Sequence, residues 1–126
     1  MYVECTVDPA AFINQGGFAN WVRAHMVIVV GVNRIILKRK LVPPLYKSGV
    51  RFREEPPGVE TFVDALTCFK ARFGDCAHLA AWRCAELQEQ GEKAAIRVKW
   101  TQPVYHVQVR RGNGSIEDPS ALLGMH

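Results

Sequence analysis

The chain has no apolar stretch long enough to cross a bilayer. Its longest candidate, MVIVVGV at residues 26–32, falls far short of the roughly 20 residues that a spanning helix needs. A membrane partner is therefore not expected, and the run is assigned to a core. The N-terminus, MYVECTVDPA, has an acid and no apolar block of the kind that marks a secretory signal. With no sign of a secreted scaffold, Cys5, Cys68, Cys76 and Cys84 are read as reduced thiols in a cytoplasmic setting. No pair of them has C-x-x-C spacing. The eight-residue intervals between Cys68, Cys76 and Cys84 match no zinc knuckle, so these thiols with His78 and His106 are not read as a metal centre. No cofactor is expected. Internal repeats and low-complexity tracts are also missing. The net charge is only +4, and the densest basic run, Lys38-Arg39-Lys40, lacks interleaved aromatics, which argues against a nucleic-acid partner.

What is present suits one globular domain, residues 1–126, with a real core: 48% of residues are hydrophobic and 22% charged. A single break in composition, PPLYKSGVRFREEPPG at 43–58, is framed by paired prolines. Prolines fix φ and remove donors, so this reads as a long ordered connection with room for one short strand. It divides an N-terminal region, 1–39, from a core region, 40–126. Within 18–40 the β-branched residues favour a strand, whereas Phe18, Val22, Met26, Val29, Val32 and Ile36 trace a helical face. The helix is the reading taken. Residues 59–71 read as a second helix with Phe62, Leu66 and Phe69 on one side, and 76–90 as a third, ended by Gly91. Two strand-like runs, AAIRVKW and VYHVQVRR, follow, then a GNG turn at 112–114 and a short strand SIED. Helices first and an antiparallel sheet afterwards make an α+β fold.

Cys76 has an unusual position. Asp75 is a good N-cap residue, which makes Cys76 the first residue of its helix. Leu79, Ala80, Cys84 and Leu87 fall within about 80° of it on a helical wheel, so the thiol lies at the end of the buried stripe. Free amide donors and the helix dipole favour a thiolate there, while the neighbouring Asp75 carboxylate opposes it. An imidazolium partner would tip the balance. His78 lies about 200° away on the same helix and is expected to face solvent. Cys68 and Cys84, mid-helix on apolar faces, read as packing residues.

His106 is the better base. In VYHVQV, Tyr105, Val107 and Val109 form one strand face, and His106 shares the other with Gln108. Asp118 follows twelve residues later, across the hairpin. A two-residue Asn113-Gly114 turn would put Asp118 on the wrong face. A three-residue Gly112-Asn113-Gly114 loop, or a bulge, would set it opposite Gln108, diagonal to His106.

The ordered set Gly74-Asp75-Cys76, His106 and Asp118-Pro119 resembles the transglutaminase-like superfamily of papain-like cysteine enzymes. Their shared pattern is Gly-x-Cys opening a helix, a histidine on a following strand and an aspartate on the next. PPLYKSGVRFREEP ahead of GDC and IEDPSALLGM after it resemble small members encoded by tailed phages and prophages. The resemblance spans about residues 40–126 and implies a nucleophile helix packed on a small antiparallel sheet. It makes Cys76 the nucleophile, His106 the general base and acid, and Asp118 the group that orients His106. The implied activity is acyl transfer on a protein or peptide amide. The implied setting is the bacterial host cytoplasm or the virion, with phage structural proteins as partners. The same resemblance admits a catalytically idle module with an assembly role. Phage-type relatives tend to carry acids just after the cysteine, where this chain has Ala77 and His78, a departure that bears on substrate preference.

Overall fold

The computed structural model describes residues 2–6, 15–56, 59–101 and 104–125. The chain begins with strand β1 (Tyr2–Thr6), followed by the long helix α1 (Gln15–Lys38). In the proline-framed connection, a 3-10 turn at Leu45–Lys47 precedes the short strand β2 (Arg51–Phe52). Next come β3 (Val59–Val63), α2 (Ala65–Ala71), β4 (Phe73–Gly74) and α3 (Cys76–Glu89). Strands β5 (Ala95–Thr101), β6 (Val104–Arg110) and β7 (Ile116–Glu117) lead to a last turn of helix, α4 (Pro119–Leu122). The fold is α+β. Strands β5, β6 and β7 form an antiparallel sheet in that order, β1 pairs antiparallel with β3, and β2 pairs parallel with β4.

The helix expected within 18–40 is present as α1. Val22, Met26, Val29 and Ile36 are buried as the spacing requires, Val32 is half-buried, and the side chain of Phe18 lies outside the described residues. The run MVIVVGV is divided differently from expectation. Met26, Val29 and Val30 enter the core, but Val27 and Ile28 are exposed, because a 3.6-residue period cannot turn seven consecutive residues inward.

Residues 59–71 do not form one helix. Val59–Val63 are a strand paired with β1, from Tyr2 opposite Val63 to Thr6 opposite Val59. Asp64 then caps α2, its carboxylate accepting the Thr67 N–H at 2.8 Å. The β-branched and aromatic content of 59–63 supplied the strand signal and Asp64 the helix start. The pairing partner β1 lies more than fifty residues upstream, so local periodicity could not reveal it.

Helix α3 is the centre of the fold. One side carries Ala77, Ala80, Ala81, Cys84 and Ala85 against Val22, Met26, Val29 and Val30 of α1 and against Val107 and Val109 of β6. The other side carries Leu79 and Trp82 against Leu45, Val50, Val63, Cys68 and Leu123. Small alanines allow the first contact to be close, and Trp82 fills the second. Asn33, fully buried on α1, accepts the Ala65 N–H at 2.8 Å and so ties α1 to the start of α2.

Polar contacts fasten the proline-framed connection to this centre. The Leu45 N–H donates to Glu86 Oε1 at 2.5 Å, and the Tyr46 hydroxyl donates to Glu117 Oε2 at 2.5 Å. Arg83 bridges the two acids, reaching Glu117 at 2.6 Å and Glu86 at 3.0 Å. Arg72, with φ of 73°, closes α2 in the left-handed region, and its N–H donates to Cys68 O at 2.8 Å.

Gly74 is closely enclosed. A Cβ there would meet His78 Cβ at 3.1 Å, Cys68 Sγ at 3.2 Å and Leu79 Cδ2 at 3.4 Å. The Gly74→Ala variant is expected to lose about 1–3 kcal/mol of stability by urea denaturation. An unchanged midpoint would show that the α2–α3 junction can open.

Candidate functional site

The first turn of α3 is held by a reciprocal cap. The Asp75 carboxylate accepts the His78 N–H at 3.0 Å, and His78 Nδ1 accepts the Asp75 N–H at 3.2 Å. His78 is therefore not turned to solvent as expected from the helical wheel; only 6% of its surface is exposed. Because α3 is packed on two sides, the direction opposite Cys76 is another interior. An Nδ1 that accepts places the ring proton on Nε2, by assignment from the bonding pattern. Nε2 then donates to Thr61 O at 2.7 Å. Burial lowers the pKa of His78 and keeps the ring neutral, against the opposing pull of its bond to Thr61 O and the charge of Glu55.

Cys76 is the first residue of α3, half-buried, and packs against the apolar cluster that contains Val107 and Val109 of β6. Cys68 and Cys84 are buried as expected. Burial is the main reason that both thiols resist ionisation, and it pushes Cys84 up to about 11.

The β6–β7 hairpin has the odd-length loop. Val109 stands opposite Glu117 and Arg110 opposite Ile116. The Arg111 N–H donates to Ser115 O at 2.7 Å, which encloses Gly112, Asn113 and Gly114. Gly114 takes φ of 89°, a conformation suited to glycine, and Asn113 Oδ1 accepts the Ser115 N–H at 2.9 Å. This register turns Glu117 toward α3, where it meets Arg83, and turns Asp118 to the other face. There Asp118 Oδ2 lies 2.8 Å from His106 Nε2 and accepts from Gln108 Nε2 at 3.2 Å. Arg97 on β5 extends the row, donating to Gln108 Oε1 at 2.5 Å. Burial would raise the pKa of Asp118, but hydrogen bonds from His106, Gln108 and the Ala121 N–H outweigh it and hold the carboxyl below its ordinary value.

Two of the three residues singled out from the sequence, His106 and Asp118, are therefore in direct contact. Cys76 belongs to the α3 side of β6, in the apolar cluster with Val107 and Val109, and its meeting with the imidazole is not among these contacts. The short turn after α3 and the antiparallel β5–β6 pair return the chain, so that β6 starts toward the N-terminal end of α3. Strand alternation turns His106 to the face opposite Val107 and Val109, the two valines in the cluster that Cys76 packs against.

A second cluster went unread in the sequence. A cleft of about 700 Å³ opens beside the α3 cap, lined by Arg53, Glu55, Thr61, Val63, Cys68, Phe73, Gly74, Asp75 and His78 among others. Glu55 accepts the Thr61 N–H at 3.1 Å and is also hydrogen-bonded by the Thr61 hydroxyl. Burial, followed by the charge of Asp75, pushes Glu55 up to about 8. Ligand atoms of Glu55, Asp75 and His78 lie within 4.8 Å of one another, the spacing of a cation site. Both ring nitrogens of His78, however, already serve backbone groups, so the trio is built as a tether between α3, β3 and the 53–56 segment. Asp-x-x-His is a capping-box pattern with His in the place of Glu, a signal that could have found His78.

Comparison with known proteins returns no match: no family model, no curated protein and no solved structure is significantly similar to the chain.

The tether has a pH signature. The folded-state pKa of Glu55, about 8, stands above the free value of 4.5. Its contribution to stability is therefore complete below about 4.5 and is lost as pH rises through about 8. His78, with a lowered pKa, has the opposite sign: its contribution is present above its free value of 6.5 and is lost as pH falls through its depressed one. In urea titrations across this range, Glu55→Gln is expected to flatten the alkaline decline and to exceed the parent chain in midpoint above pH 8. Parallel profiles for the two proteins would contradict this.

Proposed function

We propose that the chain is a thiol-dependent acyl-transfer enzyme with a papain- or transglutaminase-like core, in which Cys76 is the nucleophile, His106 the general base and acid, and Asp118 the orienting group. The observation that carries this reading is the 2.8 Å contact between His106 Nε2 and Asp118 Oδ2, produced by the odd-length hairpin that such a pair requires. With Nε2 on the carboxylate, Nδ1 is the nitrogen that exchanges a proton with the thiol. The Cys76 thiolate attacks an amide carbonyl of a protein or peptide, and the oxyanion is met by the Cys76 N–H at the start of α3. His106 returns the proton to the leaving amine, and the thioester passes to water or to a second amine. Phage structural proteins are the substrates or assembly partners consistent with the sequence resemblance.

A second reading is a catalytically idle module of the same architecture with a role in particle assembly. It is favoured by the surroundings of Cys76, whose side chain packs against an apolar cluster and whose neighbour in sequence, Asp75, is a carboxylate. Both features oppose thiolate formation.

Alkylation separates the two. With iodoacetamide and peptide mapping, the enzyme reading expects Cys76 to react well below the ordinary thiol pKa. It expects that reactivity to fall at least about tenfold in His106→Ala and by less in Asp118→Asn. A Cys76 that titrates as an ordinary thiol and ignores both substitutions would select the idle module.

A further inference from the structure

Helix α1 presents an apolar stripe to solvent on the side away from α3. Ala24, Ile28, Gly31 and Ile35 are all exposed and lie within about 60° of one another on the helix, with Val27 beside them. Val27 is 66% exposed, Ile28 59% and Ile35 53%, which leaves roughly 300 Å² of aliphatic surface in water, the size of the largest apolar patch on a typical monomer, which is often functional. The residues alternate in size along the stripe: Ala24 small, Ile28 large, Gly31 small, Ile35 large. Nothing lies within 4 Å of the position a Gly31 Cβ would take. Next to Gly31 a hollow of about 290 Å³ opens among Val27, Val30, Cys84, Ala94 and Ile96, with Arg23, Arg34 and Gln88 also in its lining.

From this stripe we propose that the chain forms a two-fold symmetric dimer through an antiparallel α1–α1 crossing. One register explains the alternation. Setting Ile28 against Gly31 of the second copy also sets Ile35 against Ala24 of the second copy, and the two-fold axis repeats both contacts. Each bulky side chain thus meets a small one, and Ile28 enters the mouth of the hollow beside Gly31. A parallel pairing would stack isoleucine on isoleucine and bring the two Lys38-Arg39-Lys40 runs together. The antiparallel one holds those runs at opposite ends.

Charge also favours a second copy over an acidic peptide or an anionic bilayer. Of the cations that flank the stripe, Arg34 pairs with Glu89 at 2.5 Å, Lys38 lies 3.9 Å from the same carboxylate, and Arg23 bonds the neutral Asn20 at 2.7 Å. The stripe itself, between these cations, is apolar. With the flanking polar arms, two copies would bury on the order of 1,000 Å² in total, at the lower bound for a specific interface.

Sedimentation velocity on the full chain, from about 1 to 200 μM, tests this. The expected result is a monomer–dimer equilibrium that Ile28→Glu weakens at least tenfold, without loss of helical circular dichroism. Gly31→Leu is the sharper variant. A Cβ at this position has nothing within 4 Å and leucine is a better helix former than glycine, while the longer side chain would occupy the hollow that receives Ile28. The dimer should weaken while the monomer folds as before. A chain that stays monomeric at the highest concentration would overturn the proposal. So would a Gly31→Leu variant that associates more tightly. Flotation of a monomeric chain with vesicles containing about 30% phosphatidylglycerol, strengthened by Gly31→Leu, would overturn it and give the face to lipid.

Discussion

Burial of α3 on two sides is the constraint that the rest of the structure answers to. A helix with one apolar stripe can rest on a sheet and leave its polar side wet. This one is enclosed by α1 and β6 on one flank and by the proline-framed connection, α2 and α4 on the other. Its sequence reflects that enclosure. Alanines occupy the flank where α1 must come close, and Trp82 occupies the flank where separate segments meet. Polar residues on α3 are consequently engaged: Glu86 receives the Leu45 N–H, Arg83 spans two acids, and His78 is bonded at both ring nitrogens.

The N-terminal cap of α3 shows how one residue can serve two elements. Asp75 and His78 close the first turn reciprocally, and the far nitrogen of His78 reaches the Thr61 carbonyl in β3. Glu55 approaches the same threonine from the connecting segment. The start of α3 is thereby fixed from outside the helix. A thiol at that first position has a backbone N–H and a carboxylate held in constant relation to it. Whether Cys76 acts as a nucleophile or as packing, it does so from a rigid mount.

Much of this could be read from the chain alone, and the exceptions have physical causes. The start of α3 followed from Gly-Asp-Cys because capping is local chemistry. The β6–β7 register followed from requiring His106 and Asp118 on one face, because strand side chains alternate with a period of two. The strand at 59–63 was missed because its partner lies more than fifty residues upstream, where periodicity has no reach. His78 was misplaced because a helical wheel gives direction without saying what stands there. Glu55 was missed for a related reason: a carboxyl in a proline-rich connection looks solvated until the fold encloses it. The apolar run at 26–32 signalled helix and core, but no count of hydrophobic residues could show that Val27 and Ile28 would be left outside.

The loop Gly112-Asn113-Gly114 joins two otherwise separate arrangements. Its length places Glu117 under Arg83 and Tyr46 on one face of the hairpin and Asp118 against His106 on the other. Adding or removing a single residue there would exchange the faces, moving Glu117 away from its cation and Asp118 away from its imidazole in one event. A two-residue change would preserve both. A one-residue change in this loop is therefore tolerated only where a bulge or a longer loop absorbs it and the pairing stays in place, which makes the loop a parity lock: an exposed turn, permissive in composition, whose residue count is constrained by the side chains on both faces of the hairpin.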